Sequence, residues 1–295
     1  MDILFYYSGS ADKAPGLGAN ESVSDRKQYQ ILQSISHWRK ILSNFYIGEF
    51  VYDGRRYRTA EHAFQGAKIS LADPTRGYLF SLDSDSSLSH GDGDIARKNR
   101  KMIVLNSTQV QQWNQVQGQV MEDILTDKFI QIPIAARALL ATLSSALWHG
   151  APRVPKARQY MLERVREKIG KEPQILAYLF EQGDISLIDD KITRDNLISI
   201  LARVNVSKVS PHVIEWMRVK NLHPEWFIPI ISGSDIIQGT PPNLWKMLLA
   251  NAIVAKNIPL ITTLISHHRD EITAPMIDNM IKFANGDEEI LSLIQ

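Results

Sequence analysis

The feature that most constrains this chain is a change of texture at Gly170. Up to that residue, short runs of β-formers and turn dipeptides alternate with helical periodicities; beyond it the apolar residues recur at helical spacing and strand signals fade. One packing scheme does not serve both textures, and 295 residues are near the limit of a single hydrophobic core. The sequence therefore predicts two domains, residues 1–170 and residues 171–295. The first reads as α+β, predominantly helical with a few short strands, and the second as all-α.

Local signals sharpen the front domain. Phe5-Tyr6-Tyr7 reads as a strand, followed by a turn-rich stretch from Ser8 to Ser24. Phe50-Val51-Tyr52 and Arg55-Arg56-Tyr57 flank Asp53-Gly54, a dipeptide that tolerates positive φ at both centres of a hairpin turn. From Thr59, a predicted N-cap, Ala60, Phe64, Ala67 and Leu71 recur at helical spacing until Asp73-Pro74. Ser81 to Asp94 is rich in Ser, Asp and Gly and reads as a polar, mobile loop. Helical patterns resume at Ile95, with breaks near Asn106-Ser107 and at Pro133. Leu147 to Pro152 reads as a stop, and Met161, Leu162 and Val165 lie on a last helix ending at Gly170.

In the tail, Ala255 to Ile265 lines up with Ala284 to Ile294 at an offset of 29 residues. Gln182-Gly183-Asp184-Ile185-Ser186-Leu187-Ile188 has a related look. Such spacing fits an ankyrin-like stack of helical hairpins; an unrepetitive helical domain fits it equally well.

Composition narrows the function classes. There is no cysteine, which excludes disulfides and thiolate chemistry and leads us to expect a reducing, cytoplasmic setting. No long apolar run suggests a membrane span, and Met1 to Tyr7 does not read as a signal peptide. Residues 1–170 carry a net charge of +5 and residues 171–295 one of −4, a weak hint of a phosphate-bearing ligand at the front. His267-His268 are adjacent and have no metal-site spacing, so neither a metal nor another cofactor is expected.

The chemistry-bearing segment is Glu61-His62-Ala63-Phe64-Gln65-Gly66-Ala67-Lys68. On a helix, Glu61, Gln65 and Lys68 fall at i, i+4 and i+7 and form one polar stripe. A carboxylate, an amide and an amine in a row can hold a polar ligand and move protons. Periodicity alone favours a plainer reading, a solvated helix face with an acidic first turn.

Further residues join this segment in order: Phe5-Tyr6, Leu42-Ser43-Asn44-Phe45, Tyr57, then Trp113, Val120-Met121, Lys128-Phe129 with Pro133, Leu139 to Thr142, Trp148 and Leu162 to Arg166. In this pattern the front domain resembles the NADAR family, the YbiA-like N-glycosidases. Pro15 to Glu21 resembles the N-terminal Pro-Gly-x-Gly-Ala-Asn-Glu loop of one branch. Where many members carry a glycine-rich closing loop, this chain has Trp148-His149-Gly150-Ala151-Pro152-Arg153-Val154-Pro155-Lys156, stiffer and more basic.

The resemblance implies cleavage of a ribose C1′–N bond, in ADP-ribosylated guanine or in phosphoribosyl intermediates of riboflavin synthesis. It implies Glu61 as the charged partner of C1′, with a pKa expected to tend downward at a helix N-terminus. Lys68 matches a lysine proposed to form a Schiff base with the opened sugar; a cationic phosphate or hydroxyl holder is its alternative. Asn44, Phe45 and Gln65 are candidate ribose contacts, and Trp113 and Trp148 candidate base stackers. Arg153, Lys156 and Arg158 are candidate phosphate contacts, and His149 a candidate proton donor to the leaving nitrogen. Each has an ordinary alternative as a turn residue, core aromatic or solvated charge. The expected partners are an ADP-ribosylated nucleotide or nucleic acid, or a phosphoribosyl small molecule, with a protein partner for residues 171–295. A non-catalytic nucleotide-binding module with a recruiting tail is the second reading; an inactive scaffold is the third.

Overall fold

Two short strands from opposite ends of the front half form the frame of the site. β1 (Ile3–Tyr6) pairs in parallel with β4 (Ala146–His149), Phe5 opposite Trp148 and Tyr6 opposite His149. β5 (Ala157–Arg158) joins the far edge of β4 antiparallel. Leu4 and Leu147 are wholly buried, each contributing about 1.5–3 kcal/mol through removal from water. The sequence reads Leu147 to Pro152 as a stop, but its start is the inner strand of this sheet. Its partner lies at the other end of the domain, so local pattern does not reveal the pairing.

The computed structural model describes residues 1–192, 200, 203, 242–254, 256 and 258–294. It is mixed α+β and mostly helical, and it divides into two compact units, Met1–Ile175 and Leu176–Gln295. Among the described residues, no helix is long and apolar enough to cross a membrane.

In the first unit, α1 (Gln30–Ser34) and α2 (Trp38–Ile41) precede the hairpin of β2 (Phe50–Tyr52) and β3 (Arg55–Tyr57). Asp53 and Gly54 both have positive φ, 48° and 70°, as the turn requires. α3 (Ala60–Ser70) starts at Thr59, whose hydroxyl accepts from the His62 amide. Asp73 then caps the next helix, α4 (Pro74–Tyr78).

Residues 81–94, expected as a mobile loop, are instead built in. Ser81 and Ser89 are fully buried, and Asp92 caps α5 (Gly93–Lys98) through the Ile95 amide. Serine hydroxyls there satisfy backbone groups internally: Ser84 Oγ donates to the Ser81 carbonyl and Ser89 Oγ to that of Ser86. α6 (Ser107–Gln131) opens with a reciprocal cap between Asn106 and Gln109, and α7 (Pro133–Leu140) follows its break at Ile132. α8 (Tyr160–Ile169) ends at Gly170.

α9 (Pro173–Gln182) crosses the division between the units. Within the second unit, α10 (Pro242–Val254) packs on α11 (Ile258–His267) and α12 (Ala274–Ala284), and α13 (Glu288–Ile294) on both α11 and α12. Lys256 and Asn285, matched at the 29-residue offset, both adopt left-handed φ, and Ile261 and Ile290 are both fully buried. Ala255 and Asn257 of that alignment lie outside the described residues.

Candidate active site

A cavity of about 420 Å³ opens between the β1–β4 sheet, the first turn of α3, α5, α6 and α8. That volume is in the usual range for small-ligand sites. Tyr6 and His149, neighbours in register, enter it from the sheet. Met121 and Leu125 come from α6, Met161 and Leu162 from α8, and Asn44, Phe45, Glu61 and Arg97 also line it.

Glu61 is positioned twice over. Its amide donates to the Asn44 carbonyl at 3.1 Å, and one carboxylate oxygen accepts from Gln65 Nε2 at 2.9 Å. The side chain is nearly buried, yet no cation among the described residues pairs with it directly. Burial raises its pKa above the ordinary carboxylate value, and the Gln65 hydrogen bond with the more distant charges of Arg97 and Arg100 offsets this only in part. The downward shift expected from the helix N-terminus is therefore overturned: desolvation outweighs the partial charges of a single helix turn. The buried Gln65 Oε1 has no hydrogen-bond partner.

His62 is internal. Its Nδ1 meets Thr59 Oγ1 at 2.8 Å and its Nε2 the Leu88 carbonyl at 3.1 Å, and burial lowers its pKa. A neutral ring with Nε2 protonated satisfies both contacts, tying the 81–94 segment to α3. Burial likewise lowers the pKa of His149. It therefore enters the cavity as a neutral imidazole at pH 7, able to donate one hydrogen bond but not stored as an acid.

The cavity thus gathers four sequence candidates, Asn44, Phe45, Glu61 and His149, with Gln65 bonded to Glu61 beside it. It does not gather the others. Lys68 is half-buried on α3 and is not among the lining residues; seven residues of helix separate it from Glu61 by about 10 Å. Trp113 packs on Phe64 at 4.9 Å between α6 and α3, and Trp148 stacks on Phe5 at 6.0 Å. Both tryptophans sit outside the lining. Arg153 is exposed with φ 62°, outside the lining as well. Lys156 donates to Asn20 Oδ1 at 2.6 Å, and Arg158 pairs with Glu163 at 3.0 Å, so these cations are spent on structure.

Arg97 and Met121 belong to the lining. Met121 stands in the ordered pattern without an assigned role, and its sulfur meets Asn44 Nδ2 at 3.6 Å. Arg97 falls in the helical pattern expected from Ile95, but nothing in its spacing marks it as a site residue. Its guanidinium sits 5.4 Å from the centre of the Phe45 ring and pairs with Asp94. A close approach brings it there: a Cβ at Gly93 would lie 2.5 Å from Phe45 Cγ, so only glycine fits.

A second cavity, of about 200 Å³, is lined by Phe5, Tyr7, Gly150 and the 10–21 loop. Glu21 and Arg39 line it too, with buried side chains. Glu21 accepts from the amides of Phe5, Gly16 and Gly18 and from Arg39 through both Nε and Nη2. Arg39 also donates to the Lys13 and Ala14 carbonyls. Among the described residues, no group of three His, Asp or Glu side chains could hold a metal ion. No known family, curated protein or solved structure matches the chain.

Proposed function

We propose that the first unit is an N-glycosidase of the NADAR kind that hydrolyses a ribose C1′–N bond, removing ADP-ribose from ADP-ribosylated guanine. The observation that carries this reading is Glu61: a nearly buried carboxylate with one neutral side-chain donor, lining a cavity large enough for a ribosyl group. As the C1′–N bond breaks, its electron pair leaves with the base and positive charge develops on the sugar. An anion in a site of low polarity stabilises that charge more strongly than one in water. Glu61 then accepts the proton of the water that attacks C1′. The departing nitrogen takes up a proton, for which the neutral His149 ring is a relay.

Asn44 offers an amide to the ribose hydroxyls, Phe45 a ring edge to the sugar, and Arg97 a charge to a phosphate. Met121, Leu125, Met161 and Leu162 supply an apolar wall for the base. A Schiff-base route requires the Lys68 amine to reach C1′; the direct route needs only groups that line the cavity.

A second reading, a nucleotide-binding module without turnover, gains from the absence of Lys68 from that lining. In it the tail, residues 171–295, recruits a protein partner.

Incubation with ADP-ribosylated guanine nucleotide or nucleic acid, following release of free ADP-ribose, tests the proposal. Release that is lost in Glu61→Gln supports it. Binding without release favours the module. Release undiminished in Glu61→Gln overturns the role of Glu61.

A further inference from the structure

Lysine is almost never fully buried unless its charge is paired. Lys128, on α6, is 1% exposed and forms no ion pair among the described residues. Its Nζ donates to the Ile41 carbonyl at 2.9 Å and the Ser43 carbonyl at 2.8 Å, with the rings of Phe129 and Tyr46 centred 4.7 and 5.7 Å away. Burial alone brings its pKa down to about 7; no charged side chain contributes, and the titratable group facing it is the Tyr46 phenol.

The two carbonyls belong to the segment that enters the cavity. Ile41 ends α2, where carbonyls lack intrahelical partners. The Ser43 carbonyl also takes the Tyr46 amide at 3.1 Å, and Ser43 Oγ accepts from the Phe45 amide at 3.2 Å. The next carbonyl, that of Asn44, receives the Glu61 amide. The buried amine and the first turn of α3 thus hold the same short backbone segment, residues 41–45, by separate hydrogen bonds. A methionine would fill nearly the same volume but leave carbonyls short of a donor.

We propose that Lys128 is a positioning residue: from inside the core it grips the backbone that presents Asn44, Phe45 and Glu61, and ligand affinity in the cavity depends on that grip. The choice of ligand rests on the glycosidase reading; the grip does not. A neutral amine still has two donors for two carbonyls, but charge-assisted bonds are roughly twice as strong, so the grip loosens when the proton leaves.

The test uses the full chain with lysine labelled at Cε. The Lys128 signal is expected to titrate near pH 7, with the Asn44 side-chain amide and the Glu61 backbone amide shifting at the same midpoint. In parallel, ribose 5-phosphate binding is followed by calorimetry from pH 6 to 8. Lys128→Met is expected to weaken it at pH 6.5 about tenfold and to remove a fall in wild-type affinity across that range.

Asn44 and Glu61 signals that stay still while Lys128 titrates overturn the proposal, as does unchanged affinity in folded Lys128→Met. If that variant does not fold, the wild-type titration decides. If ribose 5-phosphate binds neither protein, that counts against the glycosidase reading, and the titration still decides the grip.

Discussion

Glu21 and Glu61 are both carboxylates with buried side chains in the first unit, each beside a cavity, and their surroundings are opposite. Glu21 accepts five hydrogen bonds, two of them from Arg39, and every one fixes a loop or strand in place. Glu61 accepts one side-chain hydrogen bond, from an uncharged amide, and its remaining capacity faces a cavity. A buried charge with all its lone pairs occupied organises structure. One held in position but left short of partners is poised to meet a charge that arrives with the ligand. The same residue type therefore gives architecture on one side of the domain and chemistry on the other.

The largest expected effect breaks the first half of this contrast. Glu21→Ala strands Arg39 in the core, at a cost of about 3–5 kcal/mol. Thermal unfolding should then fall by roughly 6–20 °C. A loss of under 2 °C would mean that the pair does not hold the loop.

Glu61→Gln tests the other half. It should lower turnover by about 10²–10³-fold while leaving Tm unchanged or slightly raised. The sign follows from linkage: a carboxylate whose folded pKa is raised adds stability below its unfolded pKa and loses it as pH rises through the folded value, so near neutrality it costs the fold. A large drop in Tm would make Glu61 structural, like Glu21.

A third test concerns Lys128, which is also buried and has no carboxylate partner among the described residues. Its folded pKa of about 7 lies below the unfolded value of 10.5. Between those values the unfolded chain holds a proton that the native state does not, so native stability should rise from pH 7 to 10. Urea unfolding at stepped pH measures it, and a flat profile matched by Lys128→Met would remove the amine from the balance. The smallest effect is expected of Lys68→Ala, a loss in turnover below about tenfold. A loss equal to that of Glu61→Gln would bring the amine to C1′ and favour the Schiff-base route.

Much of the local structure was legible because its causes are local. Asp53-Gly54 specified its turn, Thr59 its helix start and Gly170 its helix end. What sequence reading lost depends on distant partners. Leu147-Trp148 is a strand only because β1 lies alongside, and the segment that buries Ser81 and Ser89 is held by His62 at the Leu88 carbonyl and by Ser84 Oγ at the Leu79 carbonyl. In the site, the Glu61, Gln65 and Lys68 stripe was visible as spacing. The direction of the Glu61 pKa was not, because it depends on burial contributed by other elements. The cations at 153, 156 and 158 showed as charge, but neither their absence from the lining nor the pairing of Lys156 and Arg158 has a local signal.

A crystal structure of the full chain with ADP-ribose bound decides whether Glu61 meets the sugar. The ribose is expected in the 420 Å³ cavity, with C1′ within contact distance of the Glu61 carboxylate and Asn44 on the sugar hydroxyls. ADP-ribose bound elsewhere, with Glu61 untouched and the cavity empty, would contradict that placement.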